Sequence, residues 1–328
     1  MSDILIISPI SIAGELILKG FKKGFEHSGH SVSFMDVREF KGFNCSDFDC
    51  VLCYDYGYMV EKSAFNFVLS LLEKNKNIKI IHYFADNPSL KYAHSGDESL
   101  EEKFSALCLK YPHNIKPVFW DREYLSEFRG VDSKFFPLCV DCGVYKNLGL
   151  EKKYDITFLG RPLGEFRQRI LSTVVKNFPD KLKIFSYPEH FESSICDMKK
   201  YLNDFELENY KNSFCGFINT QEELARVYNQ TKINLNINLQ GEGSLNYRTF
   251  EVLACDGFML CDRRADISAL GLDEALVQYD NEDDLVRKIS YFLKNDSERE
   301  KISARAGKLI YERYNIILKA DEILNPVE

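Results

Sequence analysis

The stretch Ile233-Asn234-Leu235-Asn236-Ile237-Asn238-Leu239-Gln240-Gly241-Glu242-Gly243-Ser244-Leu245-Asn246-Tyr247-Arg248-Thr249-Phe250-Glu251-Val252-Leu253-Ala254-Cys255-Asp256-Gly257 runs from an apolar strand through a glycine loop into a helix. A strand is expected over 232–238, and Gly241 and Gly243 open the loop. Ser244 is the expected N-cap and Gly257 the stop. A helix start fed by glycines offers unpaired N–H groups and the positive end of the helix dipole, which suits a diphosphate. Gly243, Ser244, Asn246 and Tyr247 are the candidate residues at that start.

Helical spacing places Tyr247, Arg248, Glu251 and Cys255 on one face and Phe250, Leu253 and Ala254 on a core-facing one. Arg248 is a candidate phosphate clamp, since its planar fork matches phosphate oxygens. Glu251 is a candidate acceptor for vicinal ribose hydroxyls. The alternative is an ordinary surface ion pair between Arg248 and Glu251, worth a few tenths of a kcal/mol.

Outward from this stretch, short apolar runs alternate with amphipathic ones, the pattern of α/β proteins with parallel sheets. Strands are expected at 4–8, 31–35, 49–54, 78–84, 117–120 and 135–138. After a polar, glycine-containing stretch at 141–153 the pattern restarts, with strands at 154–159, 182–186, 232–238, 257–261 and 275–279. A helix over 14–28 ends at Gly29, Asn281 caps a later helix, and Ser297 with Glu300 forms a capping box. Two Rossmann-like domains follow, 1–145 and 146–313, with a further helix in 314–328.

The chain has 328 residues, 45% of them hydrophobic, enough for two cores. Its net charge of −8 argues against a duplex-DNA footprint, so a nucleic-acid partner is not expected. No apolar run is long enough for a signal segment or a membrane span, and a cytoplasmic protein is expected. Ten cysteines include Cys50-Val51-Leu52-Cys53 and Cys139-Val140-Asp141-Cys142. Residues three apart on a strand face opposite ways, so Cys50 and Cys53 read as buried thiols in a reducing compartment rather than zinc ligands.

Several of these segments together resemble the CgeB-like glycosyltransferases, a family named for a spore maturation protein. In the second half they are Tyr154-Asp155-Ile156-Thr157-Phe158-Leu159-Gly160, Asn234-Leu235-Asn236, Arg248 to Phe258, Asp283-Asp284-Leu285, and the basic helix from Arg299 to Gly307. Looser matches in the first half are Gly29-His30-Ser31-Val32, His82 to Pro88, Val118 to Asp121 and Phe136-Pro137-Leu138. The resemblance implies a GT-B fold: two facing Rossmann-like domains around an interdomain cleft, donor in the C-terminal domain, acceptor mainly in the N-terminal one. It implies that the last helix crosses back to the first domain, and that Gly160 and Arg161 border the donor phosphates. By the same analogy Arg248 holds the diphosphate and Glu251 the ribose. Related retaining enzymes carry a further Glu eight positions before the ribose Glu; Gly243 stands there, with Glu242 beside it.

Glycosyl transfer needs a stabilised diphosphate leaving group and, with inversion, a base on the acceptor hydroxyl. GT-B enzymes meet the first need with helix dipoles and basic side chains, so no metal or other cofactor is expected. Asp47-Phe48-Asp49 reads as turn chemistry rather than a metal motif. Asp86, just beyond the strand at 78–84, is the candidate base, with His82 and Asp55 as alternatives. Tyr56, Tyr58 and Trp120 are candidates to line an acceptor site. The expected partners are a nucleoside-diphosphate sugar and a protein, glycan or small-molecule acceptor. Two other classes stay open: an NAD-type oxidoreductase, although neither Ser8–Gly14 nor Gly160–Gly164 carries Gly-x-Gly-x-x-Gly, and a non-catalytic nucleotide-sugar binder.

Overall fold

The computed structural model describes residues 1–8, 12–38, 47–85, 100–126, 130–239 and 243–325, with backbone alone at 12, 13 and 126. The chain divides into two compact units, Met1–Asp141 with Tyr314–Glu328, and Cys142–Arg313.

The first unit contains β1 (Asp3–Ser8), α1 (Ile12–His27), β2 (Ser31–Asp36), β3 (Cys50–Tyr54), α2 (Gly57–Val60), α3 (Lys62–Lys74), β4 (Lys79–Phe84), α4 (Leu100–Lys110), β5 (Ile115–Phe119) and β6 (Lys134–Phe135). Its parallel sheet runs β2-β1-β3-β4-β5-β6. The uninterrupted run Ile4-Leu5-Ile6-Ile7 is buried on both faces, as a central parallel strand requires. Helix α1 ends as expected: Gly29 takes a φ of 87° while His30 N–H returns to the Phe25 carbonyl. The strand expected at 135–138 stops early, because Pro137 has no N–H to give the ladder.

The second unit contains β7 (Tyr154–Leu159), α5 (Glu165–Asn177), β8 (Leu182–Phe185), α6 (Pro188–Met198), α7 (Asp204–Lys211), α8 (Gln221–Asn229), β9 (Thr231–Asn236), α9 (Tyr247–Ala254), β10 (Met259–Asp262), α10 (Ala265–Ala269), β11 (Val277–Tyr279), α11 (Glu282–Phe292) and α12 (Asp296–Arg313). Its parallel sheet runs β11-β10-β9-β7-β8, and a lone parallel bridge, Ile184 to Phe214, extends it beyond β8. The sheet therefore winds one way after β7 and the other way from β9. That reversal is a switch point, and open α/β sheets bind ligands beyond the carboxyl ends of the strands there. Asn281 caps α11 by accepting from Asp284 N–H. Ser297 does not cap α12, because the chain is already helical at Asp296.

The segment α13 (Ile316–Lys319) and the 3-10 turn Ala320–Leu324 belong to the first unit. Val140 N–H donates to the Tyr314 carbonyl and Ile316 N–H to that of Val140. Gly20 and Gly24, one turn apart on α1, leave room for Ile316 and Ala320. A Cβ on Gly24 would stand 2.5 Å from Ala320 Cβ and 2.6 Å from the Ile316 carbonyl oxygen. Gly24→Leu is expected to cost about 1–3 kcal/mol of stability through overpacking. The urea midpoint reads this, and an unchanged midpoint would show that the close approach is absent.

Candidate functional site

Beyond the carboxyl ends of β7 and β9, at the switch point, four arginines converge. Arg248, in the first turn of α9, donates through Nη1 to Asn236 Oδ1 at 3.1 Å. Gly160, the first residue after β7, has a φ of 129°, and a Cβ there would stand 2.7 Å from Arg248 Nη2. Only glycine tolerates that backbone, and only the missing side chain lets the guanidinium lie over it. Arg167 on α5 spans the same corner: Nε and Nη2 donate to the Ile237 carbonyl and Nη1 to that of Arg161. Arg264 binds Asp262 and donates Nη2 to the Asn238 carbonyl.

The charges are unbalanced. Arg264 is neutralised by Asp262, but Arg161, Arg167 and Arg248 form no ion pair among the described residues. Burial, with help from Arg248 and Arg161, pulls the Arg167 pKa down to about 9. The group is still charged at neutral pH, in a place where an anion would relieve both burial and repulsion.

Side-chain amides hold this corner in place. Asn236 Nδ2 donates to Asn246 Oδ1 and Thr249 Oγ1, and Asn246 Nδ2 returns a bond to Asn236 Oδ1 at 2.9 Å. Asn238 accepts from Asn246 N–H and donates to Asp262. Alternation along β9 and the two residues after it creates this: Asn234, Asn236 and Asn238 are spaced by two, while Ile233, Leu235 and Ile237 enter the core.

The α9 start differs from the sequence expectation. Asn246, not Ser244, is the N-cap, accepting from Thr249 N–H. Ser244 is buried, at 1% exposed, and Gly243 is packed against α10, its carbonyl accepting from Asp266 N–H. Because the cap already takes one first-turn donor, positive charge at this site rests on the arginines more than on a bare helix end. At the far end Asp256, with a φ of 50°, makes the left-handed turn and Gly257 N–H returns to the Val252 carbonyl. Gly241 and Glu242 lie outside the described residues.

Beyond its first turn α9 is enclosed on every side, so the expected split into two faces does not hold. Glu251 is 7% exposed and Cys255 1%. Glu251 turns inward, its Oε2 accepting from the Tyr228 hydroxyl at 2.8 Å. Tyr145 approaches the same carboxyl, though its hydroxyl falls short of hydrogen-bond geometry. No Arg248–Glu251 ion pair forms among the described residues. Burial raises the Glu251 pKa, against smaller lowering effects from Tyr145, Tyr228 and Arg248.

In the first unit, Asp86 lies outside the described residues. His82 is fully buried among Tyr58, Phe84 and Phe104, and burial pulls its pKa down to about 3, so it is a neutral core residue and not a base. Asp55 is 4% exposed with a φ of 44°, and its Oδ1 accepts from Ala85 N–H. Tyr56, Tyr58 and Trp120 are also core residues, each under 5% exposed, and line no surface. Asp49 ties the start of β1, accepting from Asp3 N–H, which is a structural use. Burial lifts the Cys50 thiol to about 12 and the Cys53 thiol well above its ordinary value, as expected of core cysteines.

Sequence reasoning named Gly160, Arg161, Asn246 and Arg248, which the fold brings together. It missed Arg167, Arg264, Asn236, Asn238 and Tyr228. The arginines carried a signal: Arg264 is two residues beyond a strand, and Arg167 is six residues beyond Arg161 across a glycine loop. Tyr228 carried none.

Residues 167–325 match the family described as glycosyl transferase-like. No curated protein sequence matches the chain. Among solved structures, a glycosyltransferase from Rickettsia africae superposes with a TM-score of 0.67 at 14% identity, over 99% of each chain. A sucrose-phosphate synthase from Thermosynechococcus elongatus gives 0.65 at 11% identity, over 99% of this chain and 98% of that one. T4 phage BGT, solved with its UDP-glucose substrate, gives 0.59 at 14% identity, over 98% and 97%. At these identities the likeness establishes the fold: GT-B, with two parallel-sheet α/β domains. Among the described residues no helix is long and apolar enough to cross a membrane.

Proposed function

We propose that this chain, a glycosyltransferase of the GT-B fold, moves a glycosyl unit from a nucleoside-diphosphate sugar to an acceptor hydroxyl, within the CgeB-like branch. One observation carries the donor assignment: three guanidiniums at the switch point of a parallel sheet that have no carboxylate partner among the described residues. Arg248, Arg161 and Arg167 would hold the diphosphate and stabilise the charge it gains as the glycosidic bond breaks. Cationic side chains and helix dipole then do the work that a divalent ion does elsewhere, so transfer would be metal-independent. Glu251 would accept from the ribose through the carboxyl oxygen that Tyr228 does not hold. Asp86, which follows the carboxyl end of β4, would take the acceptor proton. The acceptor would be a protein, a glycan or a small molecule, and the setting cytoplasmic.

The test is a panel of nucleoside-diphosphate sugars, read as thermal shift and as released nucleoside diphosphate, with and without EDTA. At least one donor is expected to stabilise the chain and to be turned over in both conditions. Asp86→Asn is expected to keep donor binding and lose turnover by about 100-fold or more. Binding without release for every donor would leave a sugar-nucleotide binder. Release only without EDTA would end metal independence.

A further inference from the structure

A second corner of the same sheet edge has features that the phosphate site does not use. Tyr187, directly after Ser186 at the end of β8, and Phe217 are stacked face to face, with centroids 3.8 Å apart and planes at 21°. They nonetheless remain 37% and 40% exposed. Large rings stacked at a rim and left in water are unusual, since burying them is what aromatic side chains contribute most. The backbone holds them there: Ser186 N–H donates to the Gly216 carbonyl, and Gly216 takes a φ of 91° immediately before Phe217.

Beside the pair lie two polar atoms sealed from water and without a partner among the described residues, Ser186 Oγ and His190 Nδ1. Ser186 is 3% exposed, and the His190 ring meets Tyr187 edge-on at 5.4 Å. A buried hydroxyl left unpaired costs free energy, which a native core seldom tolerates without a further role. Position completes the case. Gly160 N–H donates to the Phe185 carbonyl, so β8, which leads into Ser186 and Tyr187, is the strand next to the one that ends at Gly160 under Arg248.

We infer that Tyr187 and Phe217 form the platform for the donor's nucleobase, with Ser186 and His190 as the hydrogen-bonding groups that read its edge. This rests on the diphosphate assignment above and extends that site to its base-recognising end. A planar heterocycle on the outer face of the pair would continue the stack, while the diphosphate reaches Arg248.

Isothermal titration of the full chain with UDP, GDP, ADP and dTDP, and separately with inorganic pyrophosphate, tests this. Phe217→Ala and Tyr187→Ala are expected to weaken the preferred nucleotide about tenfold or more and to leave pyrophosphate unchanged. Phe217→Tyr should restore binding, and Ser186→Ala should narrow the preference among the four bases. Arg248→Ala should weaken nucleotide and pyrophosphate alike. Wild-type nucleotide affinity in both alanine variants would overturn the platform and leave the diphosphate site standing. Absence of binding by all four nucleotides to the wild-type chain would overturn both.

Discussion

Arg248→Ala lowers the affinity of the chain for its nucleoside diphosphate by about 10- to 100-fold, the range expected for losing one charge-assisted clamp on a phosphate. The loss is this large because Arg248 is held ready. Asn236 fixes one end of its fork, and Gly160 leaves the space in which the other end lies. Gly160→Ala should therefore reproduce much of the defect with the arginine still present, since a Cβ would push against Nη2 in a backbone that only glycine adopts comfortably. Arg248→Lys should recover little, because a point charge cannot bind Asn236 and two phosphate oxygens at once. Calorimetric titration measures all three. Wild-type affinity in Arg248→Ala would remove the donor site from this corner.

Glu251→Gln separates binding from stability. The carboxyl is enclosed by protein and its pKa is raised, chiefly by burial. A carboxyl whose folded pKa lies above its unfolded one holds its proton more tightly in the native state. It supports the fold at low pH and loses that support as pH rises from the unfolded value through the raised folded one. At neutral pH, above the unfolded value, the buried Glu251 carboxyl therefore opposes folding. Glutamine keeps an oxygen for the Tyr228 hydroxyl and removes the charge, so Tm at pH 7 should rise. A change of 1 kcal/mol moves Tm by about 2–4 °C in a unit of this size. The gain should shrink as pH is lowered through the carboxylate range. Nucleotide affinity should fall about tenfold, because an amide accepts more weakly from ribose hydroxyls than a carboxylate. A lower Tm in the variant would contradict the cost of burying the charge. A higher Tm with unchanged affinity would make Glu251 a structural residue and end its ribose role.

A carboxylate kept where it costs stability is what a binding site retains and a core discards. The same trade appears at Gly160, where the backbone is one that other residues avoid, and at the Tyr187–Phe217 corner, where apolar rings stay wet and a hydroxyl stays unpaired. All three lie in the second unit, around the carboxyl edge of one sheet or on the helix that starts there.

Local physics made much of the fold legible. Periodicity placed β7 at 154–159 without error, because the apolar run needs no distant partner to be read. Gly29 and Asn281 worked as stop and start for the same reason. The N-cap of α9 did not. Ser244 and Asn246 both suit the role by composition, and Asn246 wins because Asn236, at the end of β9, and Asn238, two residues beyond it, clasp it. Spacing alone puts Glu251 on an open face beside Arg248, since spacing along one helix does not reveal what covers it. Tyr56, Tyr58 and Trp120 looked available for an acceptor because aromatic residues read alike in a core and on a rim.

The residues alone therefore determined which segments become strands and helices, that the sheets are parallel, and that Arg248 and Gly160 are candidates for an anion site, since each follows from propensity, period or motif within a short span. The tertiary structure decided which charges meet without neutralising one another, which carboxylate is shut away, and which rings stay in water. Those outcomes depend on neighbours brought together by strand order, and pairwise distance across a sheet is not written in spacing along the chain.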